Sequence, residues 1–316
     1  MTCSPDARRR LFAAVAWGTL LFTVLVILGG TIVRATGAGD GCGESWPKCG
    51  DQFIPPNPTI ETAIEFGHRA SSLLAGLGVA AVLGLAFWLF ARRHVVRGAA
   101  LAAAVLLIVE ALLGAALVLY GWVDADVSLG RAIVVPLHLA NTFLLLGALT
   151  LTAWWGSGFP PPQRSLASAA ARPLLAGIVI LFLLGATGAL NALADTVFPS
   201  SAPLGELAGK FGPTAPALSR LRIIHPIFAV LGSLYLVRVV QTQARAGSVG
   251  TRRAAAGVAA LVLAQVGIGV VNIVLLTPLS LQVLHLMAAD VLWIVYVVFV
   301  ASWLADGPPA AAVPAA

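Results

Sequence analysis

Eight long apolar stretches dominate this sequence, and each is close to the length of about 20 residues that a helix needs to cross a bilayer. They lie at roughly 11–33, 69–91, 98–120, 132–155, 173–194, 222–243, 254–276 and 281–304. Only 10% of the 316 residues are charged, far below the roughly 25% of an average soluble domain. The sequence therefore predicts an all-α membrane protein with eight transmembrane helices.

The placement of charge predicts how the chain is oriented. Twelve of the nineteen basic residues fall in segments on the same side as the N-terminus, whereas most acids fall on the other side. Because cytoplasmic loops carry an excess of Lys and Arg, both termini are expected in the cytoplasm, with loops 34–67 and 195–221 outside. This topology accounts for the net charge of +6 without a nucleic-acid partner. The first stretch follows Arg8–Arg10 but is longer than a signal-peptide core, so we expect a retained helix.

Four of the five histidines recur at matching places, near the outer end of every second stretch. They are His68, His138, His225 and His285, with 157 residues between the first and third and 147 between the second and fourth. The odd-numbered stretches end in similar small-residue runs, such as ILGGTIVRATGAG and FLLGATGALNAL, which allow close helix packing. We therefore predict two pseudo-symmetric four-helix bundles, residues 1–156 and 173–316, joined by an inner linker at 157–172.

The four histidines indicate a functional site rather than ordinary helix ends. A single histidine at a helix end commonly bonds to backbone or water, but four at one depth in apolar spans are costly and indicate function. Two per bundle suit a haem held from both faces, whereas no Cys or carboxylate cluster completes a zinc shell. Arginines at the outer helix starts would contact the propionates or serve as interfacial anchors: Arg69, Arg131, Arg220 and Arg222.

Two cysteines occur in the first outer loop, within GCGESWPKC. Cys42 and Cys49 have six residues between them and face the oxidising side, so a disulfide can close easily. The pair would be either a structural staple or a redox pair for an extracytoplasmic thiol partner. Cys3 has no predicted role.

The motifs resemble those of one enzyme family. LGGTIVRATGAGDGCGESWPKC followed by EFGHR is similar to the first helix, first outer loop and second helix of haem A synthases, and PLHLANTF, RIIHPIFAVLG and LQVLHLMAADVLW resemble their other histidine segments. The resemblance implies an oxidoreductase that converts haem O to haem A, for cytochrome oxidase, by oxidising a ring methyl to a formyl group in two steps. Some members carry a second cysteine pair in the third outer loop, and residues 195–221 have none here.

The resemblance also implies different roles for the two halves. It implies that the N-terminal half binds the substrate haem through His68 and His138. The C-terminal half would bind haem b through His225 and His285 and serve as the electron relay. A haem O synthase and an electron donor are the expected partners, beside membrane lipid, and a homo-oligomer is compatible with the sequence.

One carboxylate distinguishes the two halves. Glu65 lies three residues before His68, on the same helix face, whereas Val135, Arg222 and Gln282 occupy the equivalent positions. Glu65 is therefore the candidate catalytic proton acceptor, the alternative being an ordinary acid in the first turns of a helix. Two further acids, Glu110 and Asp290, lie within apolar stretches and should face the protein interior, but the sequence names no partner for either.

Two other classes of protein share parts of this pattern. A dihaem cytochrome b type electron carrier would need the histidines but neither Glu65 nor the cysteine loop. Repeated halves are also common in transporters, which would contain no haem.

If both His68 and His138 bind the substrate iron, no position is vacant for O2. Either one ligand leaves, or the methyl group is oxidised by electron withdrawal and water supplies the oxygen.

Overall fold

The computed structural model describes residues 4–199 and 217–307, and within them it has eight long helices and no strand. The helices are α1 Pro5–Ala35, α2 Ile60–Leu89, α3 Val95–Leu119, α4 Leu129–Gly156, α5 Arg172–Val197, α6 Ile224–Ala244, α7 Val249–Val274 and α8 Leu279–Ala305. All eight are long and apolar enough to cross a membrane. The chain is a multi-pass membrane protein, and the prediction of an all-α fold with eight spans is confirmed.

Hydroxyl side chains cap several of the helices. Ser4, Thr59, Ser128 and Ser248 each accept a hydrogen bond from a backbone N–H three residues later, which satisfies one of the donors that a helix start leaves unpaired. The cap at Thr59 starts α2 at Ile60, well before the apolar stretch that begins near residue 69. His68 therefore lies two turns inside α2 rather than at its start, because the helix extends beyond the lipid-facing segment.

Each half of the chain packs as a group of four helices. In the first half α1 contacts α2 and α4, and α3 contacts α2 and α4. In the second half α6 packs between α5 and α7, and α8 packs against α7 and α5. The halves meet where α1 and α4 contact α5 and α8. The division into two halves at a linker and their internal symmetry both stay predictions.

Aromatic side chains fill the contact between the halves. The ring of Trp293 on α8 stacks on Phe143 of α4, with centroids 5.6 Å apart, and its indole N–H donates to the Phe143 carbonyl at 2.6 Å. Phe182 of α5 meets the edge of Trp293 at 5.3 Å. One turn further along α8, the buried Tyr296 donates to the Leu174 carbonyl at 2.9 Å. Close packing with satisfied polar groups fixes α8 against both halves.

The surface of the bundle is apolar where lipid would cover it. Large side chains such as Leu21, Leu73, Trp88 and Leu263 are each more than 60% exposed. In water such a surface would aggregate, whereas in a bilayer it needs no protein partner. The segment between α4 and α5 is held against α8, because the N–H groups of Gln163 and Arg164 donate to the Leu304 carbonyl at 2.8 and 2.9 Å.

Candidate functional site

His225 on α6 and His285 on α8 form one pair of facing imidazoles. Their ring centroids are 6.4 Å apart and their planes are nearly perpendicular. An imidazole nitrogen bonds a metal at about 2.0 Å, so two rings on opposite sides of one metal have centroids roughly 6 Å apart. Both side chains are half-buried. The C-terminal pair therefore has the separation that one iron between two histidines requires.

His68 on α2 and His138 on α4 form the corresponding pair of the N-terminal half. Both side chains are half-buried. The four histidines lie on alternate helices, α2, α4, α6 and α8, and their assignment as two ligand pairs stays a prediction. The histidines are brought together by helix packing, since 70 residues of chain separate the members of the first pair.

A glycine on the preceding helix lies against each of the four imidazoles. A Cβ atom added to Gly188 would be 3.0 Å from Cε1 of His225, and one added to Gly30 would be 3.1 Å from Cε1 of His68. Such contacts are tighter than ordinary van der Waals distances, so a larger residue would push the ring aside. The four contacts are Gly30 with His68, Gly114 with His138, Gly188 with His225 and Gly269 with His285.

The histidines differ in what contacts Nδ1, the ring nitrogen that is left when Nε2 binds a metal. Nδ1 of His225 is 3.2 Å from the hydroxyl of Thr187. Nδ1 of His138 is 3.3 Å from a carboxylate oxygen of Glu110, although the two are not aligned for a hydrogen bond. The buried Nδ1 atoms of His68 and His285 have no hydrogen-bond partner among the described residues. The two pairs are therefore chemically different.

Glu65 is buried, and both of its carboxylate oxygens accept hydrogen bonds. One accepts the N–H of Cys42 at 2.7 Å, and the other accepts from Nε of Arg69 at 3.1 Å and from Nη2 of the same guanidinium. Charge-assisted bonds of this kind are stronger than neutral ones. Glu65 thus joins the cysteine loop to the turn of α2 that carries His68, a contact that the sequence did not predict.

The rest of the cysteine loop is also fixed to the start of α2. Arg69 donates through Nη1 to the carbonyls of Ser45 and Lys48 at 2.7 and 2.6 Å. Thr62 donates to the Gly41 carbonyl at 2.7 Å. Gly41 is required at that position because a Cβ there would lie 2.5 Å from the backbone of Glu61. The cysteine loop is therefore held against the first turns of α2 by several hydrogen bonds.

Three of the four arginines predicted to contact propionates, Arg69, Arg131 and Arg222, donate to main-chain carbonyls. Arg131 is buried and donates through Nη1 to the carbonyls of Val123, Asp124 and Asp126, which orders the loop before α4. Arg222 donates to carbonyls of α5 and its C-cap, Ala194 and Phe198, and pairs with Asp195 at 3.3 Å. Arg220 is exposed.

Cys42 and Cys49 form a disulfide, as the sequence predicted, with their Cα atoms 4.5 Å apart and both side chains buried. Burial of the sulfur atoms beneath the loop fits a structural staple; a redox role stays a prediction.

The predicted result is a disulfide between Cys42 and Cys49 in protein isolated without reductant. Alkylation in denaturant followed by peptide mass measurement should leave both residues unlabelled, and two labelled thiols would rule out the staple.

Sequence reasoning gave no role to several residues that the structure places near the site. Arg34, at the end of α1, donates to the Ala192 carbonyl of α5 at 2.8 Å and to Gln282 of α8 at 2.7 Å. It joins the two halves near the outer histidines. No local pattern marks it, because its partners are far away in the chain. Glu110 was singled out as an acid inside an apolar span, but its partners Asn141, Thr142 and His138 are known only from the structure.

The donor set fits an iron porphyrin better than a bare metal ion. Among residues 4–199 and 217–307, no three His, Cys, Asp or Glu side chains gather in a group that could hold a metal ion. A porphyrin supplies four nitrogens itself, so its iron takes only two protein ligands, as cytochromes with two axial side chains do. The 6.4 Å separation of His225 and His285 matches that requirement.

Comparison with known proteins places this architecture in one family. The family model COX15-CtaA, described as cytochrome oxidase assembly protein, matches residues 13–297. A protoheme IX farnesyltransferase of Thermus thermophilus is 44% identical over 296 residues, which are 93% of this chain and 49% of that protein. The chain thus spans about half the length of that relative.

Two shorter matches are heme A synthases. That of Alkalihalophilus pseudofirmus is 37% identical over 136 residues, 42% of each chain. That of Bacillus cereus strain AH187 is 39% identical over 107 residues, 34% of each chain. With eight apolar helices, four histidines on alternate helices and a family match over nearly the whole sequence, the chain belongs to the COX15-CtaA family of cytochrome oxidase assembly proteins, the family of haem A synthases.

Proposed function

We propose that this chain is a haem A synthase, an oxidoreductase that converts the ring methyl group of haem O to a formyl group in two successive steps. The observation that carries the proposal is the pair of histidine sites, one of them with imidazole centroids 6.4 Å apart, in a member of this family. The names of the two heme A synthase relatives support the same reaction.

The two halves have different roles in this proposal. Residues 1–156 bind haem O through His68 and His138, and residues 173–316 bind haem b through His225 and His285, with 157–172 as the linker. Haem b held by His225 and His285 would supply one-electron redox chemistry, as the electron relay of the protein. Only the N-terminal half has the cysteine loop and an acid three residues before its first histidine, which supports placing the substrate there.

Glu65 is the proposed catalytic residue of the substrate half. Oxidation of a methyl to a formyl group breaks two C–H bonds and releases their protons, while the electrons pass either to O2 or, through the haem b half, to a redox partner. A proton acceptor is therefore needed beside the substrate, at this end of α2. Its carboxylate is held by the Cys42 N–H and by Arg69, which fixes its position. Arg69, Arg131 and Arg222 would attract the haem propionates to the outer end, where a propionate would share donors with the loop carbonyls that these residues now bind.

Partners and orientation complete the proposal. The match to half of a protein named protoheme IX farnesyltransferase supports a haem O synthase as the partner that delivers the substrate. An electron donor is the expected redox partner of the haem b half, and a homo-oligomer is compatible with the lipid-facing surfaces. The excess of basic residues on one side supports cytoplasmic termini, with the haem sites toward the outer face of the cell membrane.

Identification of the bound porphyrins tests the function directly. The chain is expressed in membranes with and without a haem O source, purified, and its extracted haems are identified by mass. Haem A or a hydroxylated intermediate, formed only with the haem O source, is the expected product. Unmodified haem b alone would favour a dihaem electron carrier, and protein without haem would favour a transporter.

Alanine at Gly188 should weaken the haem b site specifically. The new methyl group would lie 3.0 Å from Cε1 of His225 and push the ring from its position. Overpacking typically costs roughly 1–3 kcal/mol, or about 5- to 150-fold in haem affinity. Gly267→Ala on α7 is the matched control, because its Cβ meets nothing within 4 Å. Equal haem b retention by the two variants, measured from pyridine haemochrome spectra, would contradict the steric role of Gly188.

A further inference from the structure

An intramembrane carboxylate on α3 is held against one of the four histidines. Oε1 of Glu110 is 3.3 Å from Nδ1 of His138 on α4 and also accepts from the hydroxyl of Thr142. Its Oε2 accepts from Nδ2 of Asn141 at 2.6 Å. The side chain of Glu110 is only 17% exposed. Two donors one turn beyond His138 therefore fix the carboxylate beside the imidazole.

The C-terminal half has an amide in the corresponding place. Glu110 lies four residues before Gly114, which faces His138, and Gln265 lies four residues before Gly269, which faces His285. Oε1 of Gln265 and Nδ1 of His285 are both buried without a hydrogen-bond partner among the described residues. The two halves thus differ by a carboxylate against an amide at one matched position behind an axial histidine.

The contact of Glu110 is directed at the ring atom that an axial ligand keeps free. When Nε2 binds iron, the N–H of the imidazole is at Nδ1, where it can donate to a carboxylate. A carboxylate that accepts the free N–H of a metal-binding histidine fixes the orientation of the ring and makes it a stronger electron donor. Loss of such a carboxylate typically costs 10- to 100-fold in metal affinity or activity. Stronger donation stabilises ferric over ferrous iron and lowers the midpoint potential.

We infer that Glu110 is a positioning residue whose carboxylate, 3.3 Å from Nδ1 of His138, accepts the Nδ1–H once the ring turns to hold iron through Nε2. This would make the axial ligand of the substrate haem a stronger electron donor than any ligand of the haem b half. The inference rests on the proposed function, since it requires haem on His138. It gives the substrate half an electronic difference from the relay half that does not depend on Glu65. Glu110 acts through His138 and needs no contact with the methyl group that is oxidised.

Reciprocal substitutions test this assignment. Glu110→Gln should raise the midpoint potential of the haem in the N-terminal half, and Gln265→Glu should lower that of haem b, each with little change at the other site. The haems are distinguished by their α-band positions during potentiometric titration of the purified holoprotein. A tenfold change in the preference for ferric over ferrous iron would appear as about 59 mV.

Each outcome decides whether Glu110 changes the electron donation of His138 or only packs against neighbouring side chains. An unchanged potential of the N-terminal haem in a haem-loaded Glu110→Gln variant would overturn the inference and leave Glu110 as a packing residue bonded to Asn141 and Thr142. If that variant loses its N-terminal haem, Gln265→Glu decides, and an unchanged haem b potential there would overturn it. A wild-type protein without haem on His138 would instead refute the proposed function, which separates the two failures.

Discussion

Replacing His225 with alanine is expected to remove haem b while the N-terminal half still binds haem O. The two imidazoles of the C-terminal pair face each other at 6.4 Å, and iron held between them loses half of its protein ligands in the variant. Loss of a group that only hydrogen-bonds to a metal ligand lowers metal affinity roughly 10- to 100-fold. Loss of the ligand itself should lower haem affinity further. His285→Ala should give the same result.

The measurement is the amount of each extracted haem per protein. His94→Ala is a suitable control, because His94 is the fifth histidine and is exposed at the N-cap of α3. It should retain both haems. Loss of both haems from a folded His225→Ala protein would contradict two independent sites and indicate that the halves load cooperatively across the contact between α4 and α8.

Glu65→Gln is expected to abolish haem A formation while haem O, or a hydroxylated intermediate, accumulates in the protein. The amide keeps the size of the side chain and can still accept the N–H of Cys42, but it cannot accept a proton at physiological pH. Positioned acid and base groups typically contribute 10²- to 10⁴-fold in rate. By contrast, His68→Ala should weaken haem binding itself, because it removes an axial ligand.

A control is needed because Glu65 also holds the cysteine loop. Thr62→Val removes the hydroxyl that donates to Gly41, which loosens the same loop and leaves the carboxylate in place. Haem A yield should stay close to that of the wild type in Thr62→Val and nearly vanish in Glu65→Gln. A normal yield from Glu65→Gln would end the catalytic assignment. Equal loss in both variants would mean that Glu65 acts only by anchoring the loop.

The sequence by itself determined the number of helices, the four histidines and the disulfide. Transfer of apolar side chains into lipid depends on local composition alone, so eight stretches of sufficient length are enough to predict eight spans. A short separation between two cysteines on the oxidising side likewise limits the disulfide to one pairing in the first loop. Helix starts were less predictable, because caps such as Thr59 extend α2 beyond its apolar part.

Only the tertiary structure decided which groups contact each histidine. Spacing along α2 placed Glu65 on the same face as His68, but the folded loop brings the Cys42 N–H to its carboxylate. Glu110 reaches His138 from a neighbouring helix. Helical periodicity gives the face of a residue within its own helix, while the partner across the interface depends on how helices rotate and cross. The physical reason is that these contacts form between segments distant in the chain, whose approach no local pattern encodes.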